Sequence, residues 1–132
     1  PFLGRMDICA EVQGVAYEDL EREELAESSS AIRRRIEKAR KRQMDRAENG
    51  EFVYNAELSG ERLLRDCELG RTEKRMMRQA YDRFSLNART YHKVLKVART
   101  IADLEGEERI GIEHLQEALV YRSMDKKYWG RV

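Results

Sequence analysis

The chain has 132 residues, a net charge of +1 and a charged fraction of 39%. This length fits one domain, and no apolar stretch reaches the roughly 18 residues that cross a bilayer, so we expect no membrane partner. Only two cysteines occur, Cys9 and Cys67, and their spacing suits neither a metal site nor a disulfide framework. The composition therefore predicts a cytoplasmic, predominantly helical protein with reduced thiols and no bound metal.

The first ordered pattern alternates apolar and polar side chains. Apolar residues stand at Met6, Ile8, Ala10 and Val12. A period of two is typical of a half-buried strand, and a strand needs partners for its edge hydrogen bonds. Nothing later in the sequence offers a sheet, so we expect residues 1–15 to be a strand cut from a larger protein. The alternative is a short extended arm that pairs with nothing.

Residues 16–132 are predicted to form an all-α bundle of about five helices. An acidic stretch, residues 17–27, indicates a short helix or a linker, and Ser28, Ser29 and Ser30 offer hydroxyl caps. The spacing of apolar residues then predicts helices from Ala31 to Asn49, after Ser59, from 73 to 84, from Ala88 to Leu104 with a stop at Gly106, and from Ile112 to Met124. Residues 125–132 read as a polar tail.

Charge is strongly segregated along the chain. Residues 1–30 carry a net charge of about −6, whereas residues 31–46 carry about +6. Basic side chains cover most of the long helix, and Arg34, Lys38 and Lys41 are the candidates for contact with nucleic acid phosphates. The alternatives are a solvated helix face with local ion pairs, or a helix that binds an acidic protein.

The inventory of catalytic motifs is short. The sequence has no phosphate-binding loop of the form GxxxxGK[ST], no GxGxxG and no GxSxG. His92 and His114 lack partners at metal-ligand spacing, so both read as surface or partly packed histidines. These observations predict that the isolated chain is not an enzyme.

Two segments resemble a known family. Residues 1–8, PFLGRMDI, resemble the strand entry of AAA+ ATPases in the helix-2-insert group, which includes the magnesium chelatase ATPase subunits. Residues 85–106, SLNARTYHKVLKVARTIADLEG, are similar to the lid helix of the magnesium-chelatase-related ComM and YifB-like branch, and residues 110–125 resemble its closing helix. The resemblance implies the last strand of an ATPase core followed by a helical lid.

The same resemblance implies roles for two arginines. Arg5 matches the arginine finger, which one subunit presents to the γ-phosphate bound by its neighbour. Arg89 matches sensor 2, a lid cation that contacts the β- and γ-phosphates of ATP. Both roles require the ATPase core, whose Walker motifs stand upstream in the family.

The implied parent is an ATPase that binds ATP with Mg²⁺ and assembles as a homo-oligomer, expected to be a hexamer. Resemblance to the ComM branch implies DNA remodelling linked to competence, while the fragment alone binds no nucleotide. Two alternatives stay open: the lid of a true magnesium chelatase subunit, and a stand-alone helical module that binds nucleic acid or protein.

Overall fold

The computed structural model describes residues 5–21, 26–47 and 50–122. Within them the structure has six α-helices and one 3-10 turn, and the all-α prediction is confirmed. In chain order these are α1 (Tyr17–Leu20), α2 (Ser29–Asp45), the 3-10 turn (Asn55–Glu57), α3 (Gly60–Asp66), α4 (Arg71–Arg83), α5 (Ala88–Glu105) and α6 (Ile112–Val120).

The centre of the bundle is α5, which packs against α2, α6 and the 3-10 turn. Its buried apolar residues recur every three or four positions, so one face of the helix enters the core. Helices α3, α4 and α6 each contribute to the same core. Its members are Leu58, Leu63, Cys67, Leu69, Met77, Val94, Leu95, Val97, Ala98, Ile101, Ile110, Leu115 and Ala118.

Local capping sets the helix boundaries. The Ser28 hydroxyl accepts a hydrogen bond from the amide of Ala31 at 3.2 Å, so α2 begins at Ser29. The Asn87 side chain accepts from the amide of Thr90 at 2.8 Å and starts α5. Gly106 ends α5 in the left-handed region, with φ 78°, which glycine adopts without a steric penalty.

Several predicted boundaries differ from the structure. Helix α2 begins at Ser29 rather than at Ala31, and α4 spans Arg71–Arg83 rather than residues 73–84. Helix α2 ends at Asp45 rather than near Asn49, which lies outside the described residues. Helix α6 ends at Val120 rather than at Met124, because Tyr121 and Arg122 form a turn. Residues 123–132, including the predicted polar tail, also lie outside the described residues.

The predicted N-terminal strand is not found in residues 5–16, to which the structure assigns no strand. Met6, Ile8 and Val12 remain 39%, 55% and 88% exposed, so the alternation does not bury one face. The physical reason is the lack of a partner: a strand needs a neighbouring strand for its hydrogen bonds, and the described part of the chain supplies no sheet. The domain boundary at residues 15 and 16 stays a prediction.

Candidate functional site

The segment Arg5–Cys9, here called the N-terminal segment, lies against the bundle at α5 and at the end of α6. The Lys93 ammonium on α5 donates to the Asp7 carboxylate at 2.6 Å and to the carbonyl oxygen of Arg5 at 3.4 Å. The Arg122 guanidinium donates to the carbonyl oxygen of Met6, and the amide of Cys9 donates to the carbonyl oxygen of Tyr121 at 3.3 Å. Side-chain and main-chain contacts, rather than a sheet, therefore fix this segment.

These contacts place the backbone of Arg5 close to the helix that carries Arg89, the second candidate arginine. Arg89 is the second residue of α5 and is exposed. Lys93 lies one turn further along the same face, since residues four apart on a helix are neighbours. Because Lys93 contacts the backbone of Arg5, the N-terminal segment reaches the α5 face that carries Arg89. Arg5 is also exposed, so both residues are accessible to solvent on either side of the Lys93 contact.

The basic face of α2 is largely solvated. Arg34, Lys38 and Lys41 are all exposed and follow one another at i, i+4 and i+7, which places them on one side of the helix. Lys41 pairs with Asp45 at 3.3 Å, with side chains 76% and 66% exposed. An exposed pair of this kind contributes little to stability and leaves the ammonium free to exchange partners. The three residues predicted to contact nucleic acid therefore lie on one exposed side of α2, here called the cationic surface, which also carries Glu37.

Other basic residues of α2 have partners within the chain. Arg35 pairs with Glu27 at 2.6 Å, and the Arg40 guanidinium lies 5.6 Å from the centre of the Tyr54 ring. The sequence places Arg46 among the basic residues that cover the exposed face of the long helix. In the structure it turns inward, and its side chain is only 25% exposed. The cationic surface is consequently narrower than the sequence suggests.

The inward turn of Arg46 belongs to a buried polar network around Asp103. The Asp103 carboxylate has no exposed side-chain surface and accepts from both terminal nitrogens of Arg46, at 2.7 and 2.6 Å. It also accepts from the Asn55 amide at 2.9 Å and lies 3.2 Å from an Arg99 nitrogen. One carboxylate thus joins α5 to the end of α2 and to the 3-10 turn.

Arg99 extends this network into the loop after α5. Its two terminal nitrogens donate to the carbonyl oxygens of Glu107 and Glu108, at 2.8 and 2.9 Å. Burial lowers the pKa of Arg99 below its ordinary value, although the Asp103 charge opposes that change. For Arg46, burial also lowers the pKa, but the hydrogen bond and charge of Asp103 outweigh it and the net pKa is raised. Both guanidinium groups stay charged and depend on the same carboxylate.

Sequence reasoning missed this network and the burial of His114. His114 was predicted to be either a surface or a partly packed histidine. It is 1% exposed, so the surface alternative is wrong. Its Nδ1 accepts from the amide of Gly111 at 2.8 Å, and its Nε2 lies 2.7 Å from a Glu105 oxygen. The histidine therefore caps α6 and joins it to the end of α5, which is a structural role.

The two cysteines have different environments. Cys67 is buried, and this burial raises the pKa of its thiol to about 12, whereas Cys9 is partly exposed in the N-terminal segment. Across residues 5–21, 26–47 and 50–122, no group of three or more His, Cys, Asp or Glu side chains is arranged to hold a metal ion. No helix in those ranges combines the length and apolar character required to cross a bilayer.

Comparison with known proteins places this arrangement in a family. A family model described as the C-terminal region of the magnesium chelatase subunit ChlI matches residues 26–122. Competence protein ComM of Haemophilus influenzae is 39% identical over 125 residues, which are 94% of this chain and 24% of that protein. YifB of Salmonella typhimurium is 33% identical over 130 residues, 96% of this chain and 24% of YifB.

YifB of Escherichia coli gives a similar result, with 32% identity over 127 residues that cover 96% of this chain and 24% of that protein. The chain thus spans about a quarter of the length of these relatives. The family match covers α2 to α6 and ends at Arg122, so it contains the whole bundle around α5. The chain therefore belongs to the magnesium chelatase ChlI C-terminal family, as the helical lid region of a ComM- and YifB-like protein.

Proposed function

We propose that this chain is the lid and arginine-finger region of a larger cytoplasmic AAA+ ATPase that couples ATP hydrolysis to DNA remodelling. One observation carries the proposal: the N-terminal segment with Arg5 lies against the α5 face that also carries Arg89. The chain spans about a quarter of its relatives, so the proposal assigns the nucleotide-binding core to the remaining part of the protein.

The two exposed arginines suit a phosphate ligand. A guanidinium group is permanently charged and offers a planar set of donors to phosphate oxygens. Arg89 also stands in the first turn of an 18-residue helix, where the helix dipole favours an anion. Bound ATP with Mg²⁺ would supply the phosphoryl group and part of the charge neutralisation. Arg89 would contact the β- and γ-phosphates, and Arg5 would extend toward the nucleotide of a neighbouring subunit in a hexameric homo-oligomer.

The direct test is ATP hydrolysis by the protein that contains this chain, with and without DNA. We expect hydrolysis to be stimulated by DNA, and Arg89→Ala to raise the KM for ATP about 10- to 100-fold through the loss of charge-assisted hydrogen bonds. Arg109→Ala is the control, since Arg109 is exposed in the loop between α5 and α6. An unchanged KM in Arg89→Ala would contradict the sensor role.

The family match also supports a second function, because its model describes a magnesium chelatase subunit. In that alternative the same lid serves an ATPase that drives the insertion of magnesium into a tetrapyrrole. The 39% identity to a competence protein favours the DNA function. Stimulation of hydrolysis by DNA, and none by a tetrapyrrole with its partner subunits, would separate the two.

The cationic surface of α2 is proposed as the contact with DNA. Replacing Arg34, Lys38 and Lys41 together by Glu is expected to weaken DNA binding by the chain about 10- to 100-fold. The slope of log affinity against log salt should fall by about 3, because each lost phosphate contact removes close to one released counterion. Fluorescence anisotropy with a labelled duplex at several salt concentrations measures both quantities.

The matched control is the triple replacement of Arg71, Arg75 and Arg78 by Glu. These residues are exposed on α4 with the same i, i+4, i+7 spacing, so the change in net charge is identical. Equal losses in the two triple variants would show that DNA responds only to net charge, and the proposed surface would be wrong. Binding of an acidic protein with no binding of DNA would favour the stand-alone module instead.

A further inference from the structure

Lys93 differs from the other lysines of the described chain in what it contacts. Its ammonium reaches two groups of the N-terminal segment, the Arg5 carbonyl oxygen at 3.4 Å and the Asp7 carboxylate at 2.6 Å. Because these two acceptors are two residues apart, one cation constrains both the position and the direction of the backbone at Arg5. The contact spans more than 80 positions of sequence, so it ties the segment to α5.

The lysine is also held more firmly than a surface lysine. The side chain of Lys93 is 16% exposed, whereas that of Lys41, in its pair with Asp45, is 76% exposed. A side chain that is mostly covered has already lost much of its rotamer freedom, and its charge is less screened by solvent. The Asp7 side chain is 58% exposed, so the pair is partly screened by solvent, but less so than the pair on α2, in which both side chains are mostly exposed.

The remaining attachments come from another element, one of them between the two residues that Lys93 contacts and one beyond them. Arg122 donates to the carbonyl oxygen of Met6, and the amide of Cys9 donates to Tyr121. Both partners come from the turn after α6, whereas Lys93 comes from the helix that carries Arg89. Lys93 thus connects the backbone of one candidate phosphate-contacting arginine to the helix of the other.

We propose that Lys93 is a positioning residue for Arg5, one that keeps the arginine finger in register with Arg89 on α5. Lys93 itself contacts no nucleotide; it acts by fixing the backbone from which the Arg5 side chain extends. The inference rests on the proposed function for its catalytic consequence, but the constraint on the segment can be measured without hydrolysis.

The first measurement is the rate of thiol alkylation in the 132-residue chain, followed by mass spectrometry of the separate cysteine peptides. Cys9 reports release of the N-terminal segment, and the buried Cys67 reports global unfolding. Lys93→Met should raise the rate at Cys9 about two- to fivefold, the range for loss of one partly covered ion pair, and leave Cys67 unchanged. Lys96→Met is the matched control, since Lys96 lies on the same helix and donates to Ala56 at 3.2 Å.

The second measurement is steady-state hydrolysis by the ATPase that contains this chain. A misplaced Arg5 side chain reduces stabilisation of the transition state and leaves the binding of ATP unchanged. Lys93→Met should therefore lower kcat about 10- to 100-fold with an unchanged KM for ATP. Lys93→Arg, which keeps the cation and can donate to both acceptors, should restore most of kcat. Asp7→Asn combined with Lys93→Met should be no worse than Lys93→Met alone.

Each outcome decides the proposal. An alkylation rate at Cys9 that matches both wild type and Lys96→Met would overturn it, because the segment would not be held by Lys93. A raised alkylation rate with an unchanged kcat would overturn the positioning role. Loss of activity in Lys93→Met with full activity in Arg5→Ala would show that the finger assignment, and with it the proposed function, is at fault.

Discussion

Under the proposed function, replacing Arg5 by alanine in the whole protein is expected to lower kcat for ATP hydrolysis by about 10³-fold or more. An arginine finger neutralises charge that develops as the γ-phosphoryl group is transferred, so its loss acts on the transition state. Bound ATP in the ground state gains little from the finger, and the KM for ATP should change by less than about threefold. Steady-state hydrolysis by intact oligomers measures both constants.

A mixing experiment separates a finger from a general structural defect. If Arg5 acts on the nucleotide of a neighbouring subunit and Arg89 on that of its own subunit, co-assembly of Arg5→Ala and Arg89→Ala subunits should restore part of the activity. An Arg89→Ala subunit then presents its intact Arg5 to the site of an Arg5→Ala subunit, which still has Arg89. No gain on mixing, with mixed oligomers formed, would contradict this division of roles between Arg5 and Arg89. The control Arg109→Ala should hydrolyse ATP as wild type does.

The second large effect concerns stability. Replacing Asp103 by alanine is expected to lower the free energy of unfolding by about 3–5 kcal/mol, the range for breaking a buried ion pair by removal of one partner. The Asp103 carboxylate is fully buried and is shared by Arg46, Arg99 and Asn55. Its removal takes away the negative charge that the two guanidinium groups share, and the Arg99 side chain, which is 4% exposed, cannot replace it with water. Urea unfolding of the chain at neutral pH, followed by circular dichroism, gives the difference.

Asp45→Ala supplies the comparison for this experiment. Asp45 makes one exposed pair with Lys41, so its removal should cost less than about 0.5 kcal/mol. A loss below about 1 kcal/mol in Asp103→Ala would show that the network is replaceable by solvent, in which case α2 and α5 are joined chiefly by apolar contacts.

Most of the helices could be predicted because their signals are local. The apolar positions of α5 repeat at helical spacing, and Asn87 and Gly106 mark its ends, so the predicted range 88–104 differs from the observed Ala88–Glu105 by one residue. The start of α2 was similarly indicated by serine caps. The expected end of α6 was wrong because Tyr121 continues the apolar pattern while the backbone turns at residues 121 and 122.

The buried network could not be predicted from the same signals. Hydrophobic periodicity assigns every charged side chain to the surface, yet Asp103 and Arg99 are buried among the alanines and leucine of α5. Their partner Arg46 is 57 positions from Asp103 in sequence, so only the packed structure shows the match. The one available signal is an Arg and an Asp four residues apart beside the apolar face of α5.

Some residues of the candidate site could likewise be identified from the sequence, and others could not. Arg5 and Arg89 were singled out by resemblance to a family, and neither composition nor periodicity distinguishes them from other exposed arginines. Lys93 could not be identified from sequence, because its partners lie more than 80 positions away. The predicted strand is not found in residues 5–16 for a related reason: alternation of side chains describes one segment, whereas pairing depends on a neighbouring strand.

The Asp103 network has a mechanical consequence. Helix α5 has 18 residues and is about 27 Å long at 1.5 Å per residue, with Arg89 at one end and Asp103 near the other. Because the Asp103 carboxylate is hydrogen-bonded to Arg46, the C-terminal end of α2 must follow any tilt of α5. A tilt of about 10° at the Arg89 end would displace the far end by about 5 Å. Under the proposed function, α5 would thus convert a small rotation at Arg89 into a larger displacement of the cationic surface.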